Sequence, residues 1–340
     1  MMKRLFGTFC GLVLAGCGGV SDALPESQVS AQAVGAVRIS TTGLSSTTLR
    51  ESADAIAGYM AKSKIPQIVQ GSGLLTLNAA SIDPATNPKL KAFDEAMAQF
   101  REGGATALWF VVDEVGGVED FSKMTGGPDD GVVALVQTDG RMGSDQIAQI
   151  ASTLTSTQLS AQSVGGGWFR VTDPSHGEPA AIADPSAENA KALESAARAC
   201  GATTIGFGTI VRESMRTAWQ DGMAEGNPMF AGMVSDMEES IASLQVISAG
   251  AVFGTAPELH LKLAFSNQEA AAGFADSWAE TCDGMAAMAG MFLAAQKKKG
   301  QPPAVDPKVL QTMAEALRLK HDGTSLNWTI AGPVWTQLIP

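Results

Sequence analysis

"SLQVISAGAVFGTAPELHLKLAFS", residues 243–266, reads as two β-strands folded back on each other across a tight turn at "TAP". In the second arm Leu259 and Leu261 alternate with Glu258, His260 and Lys262. A period of two puts the leucines on one face of a sheet and the polar side chains on the other. Working outward, "ATTIGFGT" (202–209) is a strand, and helical sequence follows it from 211 to 240. Past the hairpin, Asn267 opens a long helix beginning "NQEAAAGFADSWAE". A second helix over 306–320 precedes a final strand, "GTSLNWTIAG" (323–332). The order of elements is β-α-β-β-α-β.

The first half repeats it. "GSGLLTLN" (71–78) reads as a strand, and "NPKLKAFDEAMAQFREGG" carries Leu90, Phe93, Met97 and Phe100 at helical spacing before a Gly-Gly stop. Two strands follow, "ATALWFVVD" (105–113) and "GVVALVQT" (131–138). A helix capped by Ser144 and a strand "GGWFRVTD" (166–173) complete the set. The expected class is therefore α+β: a tandem pair of ferredoxin-like, split β-α-β units with antiparallel sheets and two helices on one face of each. The first unit spans 35–200 and includes extra pieces, a short strand at 36–40 and helices over 46–61 and 186–199; the second spans 201–340. Whether the two bare sheet faces meet each other or receive a partner is left open by the pattern.

The N-terminus carries an address. Met1, Met2, Lys3 and Arg4 precede the apolar run "LFGTFCGLVLAG", which is too short to span a bilayer. The tetrad Leu14-Ala15-Gly16-Cys17 follows. Signal and tetrad together resemble the lipobox of bacterial lipoproteins. The resemblance implies removal of residues 1–16, acylation of Cys17 and a membrane partner held through that lipid. With Gly18 rather than aspartate next to the cysteine, it implies an outer-membrane address facing the periplasm, where an envelope protein partner is within reach. Two or more acyl chains give stable anchoring at roughly 0.8 kcal/mol per buried methylene. Residues 17–34, small and polar, read as a flexible tether. The net charge of −12 becomes −14 once Lys3 and Arg4 are removed, which disfavours nucleic acid as a partner.

Cys200 and Cys282 are left as the thiols of the folded part. An oxidising compartment favours a bridge between them. The split topology opposes it, since Cys282 lies about 22 Å along its helix from the end nearest Cys200. His176 sits in the turn "DPSHGEP", His260 on the polar face of its strand, and His321 in "KHDGT" at a helix C-terminus, so none makes a triad by sequence. "GFGTIV" (206–211) is half of a dinucleotide fingerprint, lacking its third glycine. Asp113, Glu114, Glu119, Asp120, Asp129 and Asp130 crowd one loop without calcium-loop spacing.

Met285, Met288 and Met291 repeat every three residues among Ala, Phe292 and Leu293, and read first as core gap-fillers. Thioethers in such a Met-x-x-Met-x-x-Met run also suit Cu(I). With Lys297 to Lys299 at its end, the same helix could lie in a membrane interface. The resulting expectation is a lipid-anchored binding or scaffolding module without catalysis, cofactor or metal. The alternatives are an envelope hydrolase using a scattered histidine and a Cu(I)-binding protein.

Overall fold

The strand Ala33–Ser40 (β1) is hydrogen-bonded on both sides, and it joins the two halves of the molecule. The computed structural model describes residues 23–62, 87–113, 132–155, 157–176, 181–201, 203–217, 237–298 and 307–331. In chain order these form β1, α1 (Ser46–Lys62), α2 (Pro88–Glu102), β2 (Ala105–Asp113), β3 (Val132–Thr138), α3 (Ser144–Thr155), β4 (Ser160–Gly165), β5 (Trp168–Thr172) and α4 (Ala187–Arg198). The second half adds β6 (Ile205–Ile210), α5 (Glu238–Ala242), β7 (Leu244–Val252), β8 (Glu258–Phe265), α6 (Gln268–Lys298), α7 (Pro307–Ala316), β9 (Lys320–Asp322) and β10 (Ser325–Ala331). The strands form one antiparallel sheet in the order β4-β5-β3-β2-β1-β6-β7-β8-β10-β9.

The α+β class and the antiparallel pairing stand; the strand order is not the split one. A split unit requires its first two strands to run parallel, which a single crossover helix provides. In the second half β7 is antiparallel to β6 and its direct neighbour, where a split unit would seat β8 between them. In the first half β5 is antiparallel to β3 and its direct neighbour, where a split unit would seat its first strand between them. Each half thus sets three strands side by side in chain order (β1-β2-β3 and β6-β7-β8), followed by β5 or β10, with β4 or β9 at the outer edge. The halves meet edge to edge through β1 and β6, with Val37 opposite Phe207, and not face to face. The boundary near residue 200 is consequently no packing boundary, because α4 of the first half packs on β6 and β7 of the second. The strand expected at 71–78 lies outside the described residues.

Capping explains the helix starts. The Asn87 side chain accepts from the Lys89 amide with Pro88 in the first turn, and the Ser186 hydroxyl accepts from the Asn189 amide. The side chain of Asn267 takes the Ala270 amide at 2.8 Å ahead of α6. Ser144 does not cap α3; it is the first helical residue, and Gln146 reaches back to the Gly143 amide at 3.2 Å.

One sheet face is covered at both ends. Toward β3 and β5 it carries α2 and α3, whose Ala96, Met97, Phe100, Ile147 and Ile150 pack on Val136 and Phe169. Toward β8 and β10 it carries α6, whose Ala270 and Ala271 pack on Leu263, Phe265 and Leu326. The opposite face is covered centrally by α4, with Leu193 and Ala197 against Ala36, Ala107 and Trp109. Residues 23–34 are not a free tether. Leu24 and Val29 belong to this core, the Leu24 amide donates to Glu194, and Ser30 bridges to Pro185.

Both cysteines are free thiols. Cys200 abuts Gly250 on the α4 side of the sheet, whereas Cys282 lies on α6, on the other side. The sheet itself separates them, a stronger obstacle than helix length. His321 is not at a helix C-terminus, since α7 ends at Ala316 and His321 lies exposed in the three-residue edge strand β9.

Candidate functional site

Glycines set the geometry. In β6 the alternation places Gly206 and Gly208 on the α4 face, where a Cβ on Gly206 would overlap the Ala197 carbonyl oxygen. One on Gly208 would meet the Ala196 carbonyl carbon at 2.5 Å. The half-fingerprint "GFGTIV" therefore serves helix-to-strand contact within β6, not a phosphate loop at a helix start. The close approach brings the C-terminal end of α4 down over the β1–β6 seam. There the chain turns sharply at Gly201, at φ +85°, before entering β6.

A cavity of about 420 Å³ lies at this turn, lined among others by Arg38, Ser40, Thr42, Arg198, Thr203 and Thr204. Arg38 and Ser40 share a face of β1 by the period of two. Arg198, the last residue of α4, holds its guanidinium 5.5 Å from the ring centre of the fully buried Trp109, and its Nε lies 3.2 Å from Glu194 Oε1. A hydrogen bond of 2.9 Å joins the hydroxyls of Ser40 and Thr42. Among the described residues the lining holds two guanidinium groups and four hydroxyls and no carboxylate, in a chain of net charge −12. Such a surface can bind and orient a polar ligand.

The same sheet face continues onto β8. His260 Nε2 lies 3.1 Å from Glu258 Oε2, and Nδ1 lies 3.2 Å from Thr329 Oγ1. Both ring nitrogens are engaged, so the imidazole is oriented but has no nitrogen aimed at Cys200. Burial pushes the Cys200 thiol above its ordinary value, with Lys262 opposing. The Cys282 thiol is pushed up by burial and by Asp283, against Arg318. Both shifts favour the neutral thiol, the form that is neither nucleophile nor strong ligand.

The remaining sequence candidates scatter. His176 lies in a 3-10 turn, remote in sequence and structure from His260 and His321. Asp113 accepts from the Ser30 hydroxyl at 2.7 Å, a structural role, while Glu114, Glu119, Asp120, Asp129 and Asp130 lie outside the described residues. Cys17 also lies outside them. The methionines are not core: Met285, Met288 and Met291 are 38%, 44% and 66% exposed along α6. They sit where the outward side of a helix running past the sheet faces solvent.

Sequence reasoning did not find Arg38 or Arg198, which are 160 positions apart. The signal was faint: an arginine at an inward position of the apolar strand "AVGAVRIS". Comparison with family models, with curated proteins and with solved structures finds no match.

Proposed function

We propose that this chain is a lipid-anchored envelope protein facing the periplasm, held by a thioether-linked glyceride on Cys17, with a folded part that binds a ligand without chemically transforming it. The observation that carries the binding reading is the cavity between α4 and β1, rich in cationic and hydroxyl donors and, among the described residues, lined by no nucleophile paired with a base. Support for the anchor comes from Leu14-Ala15-Gly16-Cys17 behind a basic, apolar leader, and from Gly18 for the outer membrane. What weighs against the hydrolase alternative is the engagement of both His260 nitrogens.

Metabolic labelling with an alkyne fatty acid, followed by fractionation, tests the anchor. Wild-type chain is expected to take the label and sediment with outer membrane; Cys17→Ala is expected to lose all label and keep its leader. A labelled Cys17→Ala chain, or an unlabelled wild type, would reject it.

A second reading is favoured by the exposure of the three methionines. Thioethers one helical turn apart on a solvent-facing surface offer two or three soft donors to a Cu(I) ion. Under anaerobic reducing conditions with a competing chelator, one Cu(I) per chain is expected. The triple Met→Leu variant at 285, 288 and 291 keeps shape and loses sulfur, and should weaken retention at least tenfold. Equal retention by that variant removes the copper reading.

A further inference from the structure

We infer that the outer part of α6, from Met285 to its end at Lys298, is a docking surface for an anionic phospholipid bilayer. This rests on the reading of the chain as an envelope protein held at a membrane, and says what the folded part does there. α6 divides in two. Its first turns belong to the core, where Ala270, Ala271, Phe274 and Ala275 pack on the sheet, and burial ends with Thr281 and Cys282. Beyond Cys282 no side chain described on the helix is buried. Length accounts for the change. Its 31 residues make a helix of about 46 Å, whereas the eight residues of β8 extend about 26 Å. α7 lies against α6 and leaves the methionines exposed. Just past α7, Arg318 pairs with Asp283 and the Leu317 carbonyl accepts from the Trp278 indole, which fixes the two helices together.

What stays uncovered is apolar and basic. Met285, Met288 and Met291 are three of the four large apolar side chains exposed among the described residues. Such a concentration marks a protein or a membrane contact, and charge selects between them. In a chain with 35 acidic residues and a net charge of −12, the run 284–305 contains no Asp or Glu and carries Lys297, Lys298 and Lys299. An apolar helix surface followed by lysines settles where headgroups meet acyl chains: the apolar side chains enter, and the ammonium charges are drawn to anionic lipid. Methionine suits a disordered medium because its unbranched thioether adapts its shape. Among the described residues no helix is long and apolar enough to cross a membrane, so the contact is interfacial. A copper ion would use the three sulfurs alone and would be repelled by the lysines. A chain already anchored at a bilayer presents α6 to it at high local concentration, so a weak contact suffices.

The test places full-length acylated chain in vesicles of phosphatidylglycerol or of phosphatidylcholine and follows methionine oxidation by peroxide, read by mass spectrometry at low ionic strength. Oxidation of Met285, Met288 and Met291 is expected to be at least threefold slower on phosphatidylglycerol, and the difference to shrink at high salt. Met97, buried in the core, is the internal control and should react equally on both. Replacing Lys297, Lys298 and Lys299 with glutamine should abolish the difference. Hydrogen exchange of the α6 amides reads the variants that lack the sulfurs. Met→Leu at 285, 288 and 291 keeps the apolar area and should stay protected on phosphatidylglycerol, whereas Met→Gln at the same positions should not. The leucine variant also lacks what copper needs, so the lipid and copper readings part there. Because the three methionines are exposed, both variants should keep the wild-type thermal midpoint.

A second arm offers the same vesicles to the Cys17→Ala chain. It should show the same protection of α6 at higher lipid concentration, so this arm stands even where the anchor fails its labelling test. Equal oxidation of the three methionines on the two lipids at saturating lipid overturns the docking surface. So does protection that survives loss of the lysines, or that is lost in the leucine variant. Protection that appears without vesicles and grows with protein concentration would give the patch to a second copy of the chain and overturn the lipid assignment.

Discussion

Replacing Gly208 with valine is expected to remove the cooperative unfolding transition at 37 °C. A Cβ at this position meets the Ala196 carbonyl carbon and Cβ at 2.5 Å, and the backbone nitrogen of Ala197 more closely still. Inserted methylenes in a packed interior cost about 1–3 kcal/mol when side chains can give way. Here the obstruction is helix backbone, so the cost is expected above about 3 kcal/mol, a large part of the 5–15 kcal/mol typical of a domain. Because α4 packs on β1, β6 and β7 together, lifting it opens the seam between the halves. Urea melts followed by circular dichroism measure this directly. Gly284→Ala on α6 is the control: nothing lies within 4 Å of its added carbon, and it should stabilise by about 0.5–1 kcal/mol. Equal midpoints for Gly208→Val and wild type would show that α4 does not sit on β6 as described.

The second large effect falls on Trp109. Its side chain is fully buried within the cluster of Ala36, Ala107, Val111, Leu135, Trp168 and Leu193. Truncation of a buried aromatic costs about 3–5 kcal/mol. The indole N–H has no hydrogen-bond acceptor among the described residues, so Trp109→Phe forfeits volume but no bond. Trp109→Ala should therefore lower stability at least twice as much as Trp109→Phe in the same denaturant titration. Equal losses in the two variants would mean that the indole nitrogen, which both lack, matters there and not the volume of the ring. Since Arg198 lies over this ring, the alanine variant also loosens one wall of the cavity.

The element order was legible in the sequence because it depends on periodicity. The β7–β8 hairpin, the α6 start at Asn267 and the α2 face of Met97 and Phe100 all follow from local pattern. Strand order was not, because the split arrangement and the observed one bury the same alternating residues and differ only in which strands are neighbours. Pairing of β1 with β6 joins residues about 170 apart, which no window of sequence registers. The strand β4 escaped notice as "SAQSVG", an edge strand with too few apolar side chains to show alternation. The site was the least legible part. A lone arginine in a strand and a lone arginine ending a helix carry no motif, and become neighbours only because two glycines let α4 settle on β6. The methionines misled for the opposite reason: a regular spacing on a helix does not say which side of it faces the sheet.

The position of β1 has a mechanical corollary. Any tug on the N-terminus first peels Leu24 and Val29 from their seats and then loads β1 along its own axis, with hydrogen-bond ladders to β2 and β6 resisting in shear on both flanks. Shear must break many such bonds at once, whereas unzipping breaks them singly. The first strand of the sheet is thus braced on both flanks against traction, and once it slips the sheet parts into two pieces with raw edges.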